Sequence, residues 1–195
     1  MYSNLLHLLS NFVSLNNDDI QFIQTLFIPL SVKKDTVLIN NGEVSDRVFF
    51  VNSGYLRYYR TVDTGEEQTI HLSSPGEFAA AFCSFVTGTK SEEILHAVTD
   101  SDLLCITKTD LEKLYASEIK WQIFGRRLME SLLLEKEKRI ISQISLSASD
   151  RYARLLETNP ALIQNVPIQY LASFIGIQPE SLSRIRKQIF LTNVK

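Results

Sequence analysis

Residues 168–189 read I-Q-Y-L-A-S-F-I-G-I-Q-P-E-S-L-S-R-I-R-K-Q-I. Ile168, Leu171, Ala172 and Ile175 fall at i, i+3, i+4 and i+7, one face of a helix. Gly176 then stops it, because glycine takes positive φ without a Cβ clash. Pro179 opens a second helix at a position where its missing N–H costs nothing. That helix hides Leu182, Ile185 and Ile189 and shows Glu180, Ser181, Arg184 and Lys187 to solvent. Ala172 is small where two helix axes must cross closely. Any helical hairpin fits this spacing. The glycine turn, the proline start and the basic outer face together point to a DNA-reading helix-turn-helix.

Charge supports that reading only locally. The 195 residues carry a net charge of −2. From Arg151 onward there are six Lys/Arg against two Asp/Glu, and before it 14 against 20. An acidic part therefore precedes a basic one, and the basic one is what would touch DNA. Cys83 and Cys105 lack metal-ligand spacing and read as buried thiols of a reducing cytosol. No run of 18 apolar residues occurs, and no basic region precedes the N-terminal leucines. A cytoplasmic protein without membrane or secretion signals is expected.

Residues 5–13 predict a short amphipathic helix. Asn16, Asn17 and Asp18 offer caps for another, buried through Ile20, Ile23, Leu26 and Phe27 and ended by Pro29. From Val32 the pattern changes to V-L-I, V-F-F-V, Y-L-R-Y-Y-R, T-I-H-L and L-L-C-I, with glycines at 42, 54, 65, 76 and 88. Short strands punctuated so regularly predict an antiparallel barrel or jelly roll. Residues 118–147 form the longest helical stretch. Trp121, Phe124, Leu128 and Leu132 make one stripe, expected to be the dimer interface; Leu133, Ile140 and Ile144 lie on a rotated face. A helix apolar on two sides needs two partners, the roll and the same helix of a second subunit. Ser147-Ala148-Ser149-Asp150 is a polar hinge and cap, and Asn159-Pro160 breaks the helix that follows. The expected class is α+β: an antiparallel double-stranded β-roll with flanking helices (1–117), a dimerisation helix (118–147) and an all-α helix-turn-helix domain (148–195).

This order of parts resembles the Crp/Fnr superfamily of bacterial transcription regulators. The resemblance rests on N-G-E-V-S-D-R-V-F-F-V-N-S-G-Y-L-R at 41–57, P-G-E-F at 75–78, D-R-Y at 150–152 and L-A-S-F-I-G-I-Q-P-E-S-L-S-R at 171–184. It implies a cyclic-nucleotide-binding-type roll, a homodimer, double-stranded DNA and RNA polymerase as partners, and a small-molecule effector. Arg184 matches the family's recognition-helix arginine, whose guanidinium can bond guanine O6 and N7 together. Glu180 stands one turn earlier, to accept from a cytosine amine or to hold Arg184. Ser181 and Ser183 are expected at phosphates or bases, and Arg186 and Lys187 at phosphates.

The effector end departs from the family pattern. Gly76, Glu77 and Phe78 match the motif that meets sugar and phosphate, but the arginine expected later is missing from Thr89-Lys90-Ser91-Glu92-Glu93. Lys90, beside Ser91, lacks the bidentate fork, and two carboxylates follow it. Neither cyclic AMP nor cyclic GMP is expected to bind. An N-terminal cysteine cluster for iron–sulfur sensing is absent, and His71 and His96 read as ordinary strand residues. No cofactor or metal is expected. After Ile189 too few residues remain for the β-hairpin wing of many family members. An enzyme reading lacks clustered histidine and carboxylate ligands and a G-x-S-x-G elbow. The alternative is a sensor or adaptor whose helical tail binds a protein instead of DNA.

Overall fold

The computed structural model describes residues 1–193 and has an α+β architecture. Helices α1 (Ser3–Ser10) and α2 (Asn17–Leu26) come first. Asn16 and Asp19 cap α2 reciprocally: the Asn16 side chain accepts from the Asp19 N–H, and the Asp19 carboxylate from the Asn16 N–H. The chain then folds β1 (Ile28–Val32), β2 (Val37–Ile39), β3 (Arg47–Ser53), β4 (Leu56–Thr61), β5 (Glu67–Ser73), β6 (Phe78–Ala79), α3 (Phe82–Thr87), β7 (Ile94–Ala97) and β8 (Ser101–Thr107). α4 (Lys108–Ser117) and the 27-residue α5 (Ile119–Ser145) lead to α6 (Ala148–Thr158), α7 (Pro160–Asn165), α8 (Ile168–Ile175) and α9 (Pro179–Asn193).

The strands make two four-stranded antiparallel sheets, β1-β8-β3-β6 and β2-β7-β4-β5. Phe49, Val51, Leu56, Tyr58, Leu95 and Leu103 fill the space between them. Val48, Phe50, Leu104 and Ile106 point the other way, into a second core with α1, α2, α4 and α5. β3 and β8 are thus buried on both faces, which is why V-F-F-V and L-L-C-I are unbroken apolar runs. Pro29 does not end α2. It lies within β1, which among the described residues pairs with β8 alone, and an edge strand tolerates a missing N–H.

Trp121 and Phe124 belong to that second core, 0% and 2% exposed, and Leu128 packs against it. The stripe expected at the dimer interface is therefore the face α5 turns to its own roll. Gly125 lets α4 approach: a Cβ there would stand 2.7 Å from the Tyr115 hydroxyl. The solvent face of α5 instead carries Met129, Leu133, Leu134, Ile140, Ile141 and Ile144.

A third core holds the last four helices together through Tyr152, Leu162, Ile163, Leu171, Ala172, Ile175 and Leu182, and it includes Tyr55, Leu72 and Val98 of the roll. The helical domain is docked on the second sheet. α8 packs along the edge strand β5, where the Ser173 hydroxyl accepts from the Thr69 N–H (2.8 Å) and donates to the Glu67 carbonyl (3.2 Å).

Candidate nucleic-acid interface and effector cleft

α8, a tight turn and α9 form a helix-turn-helix. Gly176, at φ +83, ends α8 in the left-handed region, and its N–H bonds back to the Ala172 carbonyl. Leu182 is fully buried, with Ile185 and Ile189 packed beside it. Glu180, Ser183, Arg184 and Lys187 are all exposed and recur at i, i+3, i+4 and i+7, a polar stripe opposite the apolar one. Half-buried Ser181 and exposed Arg186 flank that stripe. The Ser183 hydroxyl donates to the Pro179 carbonyl at 3.0 Å, leaving its lone pairs facing solvent. α9 runs to Asn193, and no strand follows it among the described residues; the expectation of a missing wing reaches into residues 194–195, which lie outside them.

The second feature is a cleft of about 410 Å³ where the roll, α5 and α8 meet. The roll contributes Tyr58, Ile70, His71, Phe78, Ala80 and Glu93; α3 contributes Phe82 and Cys83. α5 contributes Leu132, Glu135, Lys136, Arg139 and Ile140, and α8 a single residue, Phe174. The Arg139 guanidinium lies 3.6 Å from the Phe174 ring centroid and donates to the Phe174 carbonyl at 3.2 Å. Its burial lowers its pKa to about 10, so it remains a cation at neutral pH. Burial likewise pushes the Tyr58 phenol well above its usual range.

The residues expected at the effector end are not brought together. Phe78 lines the cleft. Gly76 and Glu77 form the turn beside it, where Glu77 accepts from the Ser74 N–H at 3.2 Å and lies 3.7 Å from His71 Nε2. Lys90 is exposed in a bridge to Val44, away from the cleft lining. Ser91 is buried, with its hydroxyl bonded to the Glu93 backbone. The local backbone explains the separation, since β7 starts at Ile94 and the preceding loop carries Lys90 outward. Leu132, expected in the dimer stripe, lines the cleft instead. Periodicity does not single out Phe174 or Arg139 as site residues. Phe174 is an aromatic off the apolar stripe of α8, and that displacement is the one sign the sequence offers.

Residues 29–118 match the cyclic nucleotide-binding domain family. Over nearly the whole chain, similar solved structures include FixK2 from Bradyrhizobium japonicum, at TM-score 0.75, 19% identity and 86% coverage of both chains. The chain has the Crp/Fnr fold. A transcriptional regulator of the Crp/Fnr family from Eubacterium rectale matches at TM-score 0.67 and 20% identity, covering 93% of this chain and 88% of that one. The c-di-GMP-responsive global regulator CLP of Xanthomonas campestris matches at 0.67 and 19%, covering 91% and 93%. Among curated proteins, a 5'-deoxynucleotidase of Vibrio atlanticus is 28% identical over 104 residues. That match spans 53% of this chain and 54% of the relative, about half of each, and carries no activity across to this chain. No described helix is long and apolar enough to cross a membrane.

Proposed function

We propose that the protein is a cytoplasmic, dimeric transcription regulator that reads an inverted-repeat operator with α9 and does not respond to cyclic nucleotides. In this reading residues 1–117 sense, 118–147 dimerise and 148–195 bind DNA. The observation that carries it is the exposed stripe Glu180–Ser183–Arg184–Lys187 on a helix whose opposite face is anchored by Leu182. Arg184 reads guanine edges, Glu180 accepts from a cytosine amine, and Arg186 and Lys187 hold phosphates. Two copies place their α9 helices about 34 Å apart, one DNA turn, through the apolar solvent face of α5. A cyclic phosphate finds no uncompensated cation: Lys90 lies outside the cleft lining, Arg60 is paired with Glu92, and Lys136 and Arg139 share the cleft with Glu93 and Glu135.

The alternative, a helical tail that binds protein, has one support: exposed Phe190 and Leu191 at the end of α9. Selection of bound sequences from a random duplex pool separates the two. An enriched two-fold-symmetric site is expected, with binding weakened by salt. Failure to shift any duplex at low ionic strength overturns the regulator reading.

A further inference from the structure

We propose that the cleft binds an uncharged, largely apolar small molecule, and that the helix-turn-helix senses it directly because Phe174 of α8 is one wall of the site. This rests on the regulator reading only for its consequence, not for the binding.

The ligand class follows from the lining. Ile70, Phe78, Ala80, Phe82, Leu132 and Phe174 provide apolar and aromatic surface. The charges cancel: Lys136 and Arg139 against Glu93 and Glu135, with His71 beside Glu77. Arg139 is committed to the Phe174 ring and carbonyl. An anion therefore gains no net attraction, whereas an apolar body gains from leaving water. A volume of about 410 Å³ suits a small molecule and is too small for a peptide segment.

The coupling follows from where Phe174 stands. Its neighbour Ser173 closes the edge of β5 through Thr69 and Glu67, and its ring and carbonyl hold Arg139 of α5. Gln143 of α5 donates to the same carbonyl at 3.3 Å. A molecule that packs on the Phe174 ring binds the state in which α8 is seated on β5 and α5 more tightly than one in which it is not. It thereby shifts the population of docked helix-turn-helix without transmission through the link at 146–147 between α5 and α6.

The test uses the full chain and the neutral apolar fluorophore N-phenyl-1-naphthylamine. Saturable enhancement at one site per chain is expected, undisplaced by millimolar cyclic AMP. Phe174→Ala should weaken it at least fivefold; Ile70→Trp, at a half-buried position that tolerates a larger ring, should block it if the first variant fails to fold. Hydrogen exchange at 168–175 and at the Thr69 amide should change on probe binding in the wild type and not in Phe174→Ala. Non-saturable binding, displacement by cyclic AMP, or unchanged exchange in the wild type overturns the proposal. None of these readouts uses DNA, so failure here is distinct from failure of the regulator reading.

Discussion

The Arg57 guanidinium lies 4.0 Å from the Tyr170 ring centroid and 4.3 Å from that of Tyr59. Arg57 and Tyr59 project from β4 and Tyr170 from α8, so a cation of the roll is held between a ring of the roll and a ring of the helical domain. The side chain is only 2% exposed, and its charge is met by Glu67 Oε2 at 2.5 Å while its Nε donates to the Thr69 hydroxyl. A desolvated cation–π contact contributes about 2 kcal/mol. Tyr170→Ala should therefore loosen the docking of α8 by about 1–2 kcal/mol, allowing for the partly exposed Glu67. Faster hydrogen exchange at Thr69, whose N–H bonds to Ser173, is the expected readout. Tyr170→Phe should exchange as the wild type does; identical rates in the alanine variant would rule out the clamp.

The same interface titrates. His96 is buried with its ring edge-on to Tyr59 and Tyr170, and its Nδ1 has no partner among the described residues. Burial, then the neighbouring Arg57, holds its pKa below the usual imidazole value; Glu67 and Asp35 oppose this weakly. The unfolded imidazole takes a proton near pH 6.5, before the folded one does. Stability is therefore full above about pH 6.5 and falls as the pH drops toward the folded pKa. Denaturation midpoints at pH 7.5 and 5.5 should differ, and His96→Phe should shrink that difference. A variant with the wild-type pH dependence would assign the effect to other groups.

α5 predicts opposite outcomes on its two faces. Trp121→Ala removes a fully buried ring from the core shared with α1 and α2 and should cost about 3–5 kcal/mol of stability. Leu133 and Ile144 are 68% and 81% exposed. The double variant Leu133→Glu, Ile144→Glu should leave the unfolding transition in place and yield a monomer by sedimentation equilibrium. A dimer that survives both glutamates would move the interface elsewhere.

These two faces show where periodicity stops being informative. Both stripes of α5 are legible in the sequence, as are the capped α2, the strands with uninterrupted apolar runs and both helices around Gly176. Which stripe faces the roll depends on which one joins the core with α1, α2 and β3, and no spacing within the helix encodes that. Strand β7 escapes the strand pattern for a related reason: Ile94–Ala97 includes His96, a polar residue that becomes buried only because α8 covers the sheet from outside. Two-residue β6 carries too little pattern to read. The cleft is invisible to spacing altogether, because its wall joins residues as far apart as Tyr58 and Phe174.

Arg184 and Lys187 lie on the same exposed stripe of α9, yet different contacts are assigned to them, and the difference is measurable. A bidentate guanidinium–guanine pair contributes about 1–3 kcal/mol of discrimination. Arg184→Ala should flatten the selected-site profile at one position in each half-site while retaining binding to mixed duplex. Lys187→Ala should weaken all sequences alike and lower the slope of log K against log salt by about 0.9 for every phosphate that the lysine neutralises in each subunit. Arg184→Lys discriminates further, since an ammonium keeps the charge and loses the fork. It should preserve the salt slope and still lose the guanine preference. If Arg184→Ala and wild type select the same sequences, α9 does not read bases through this residue.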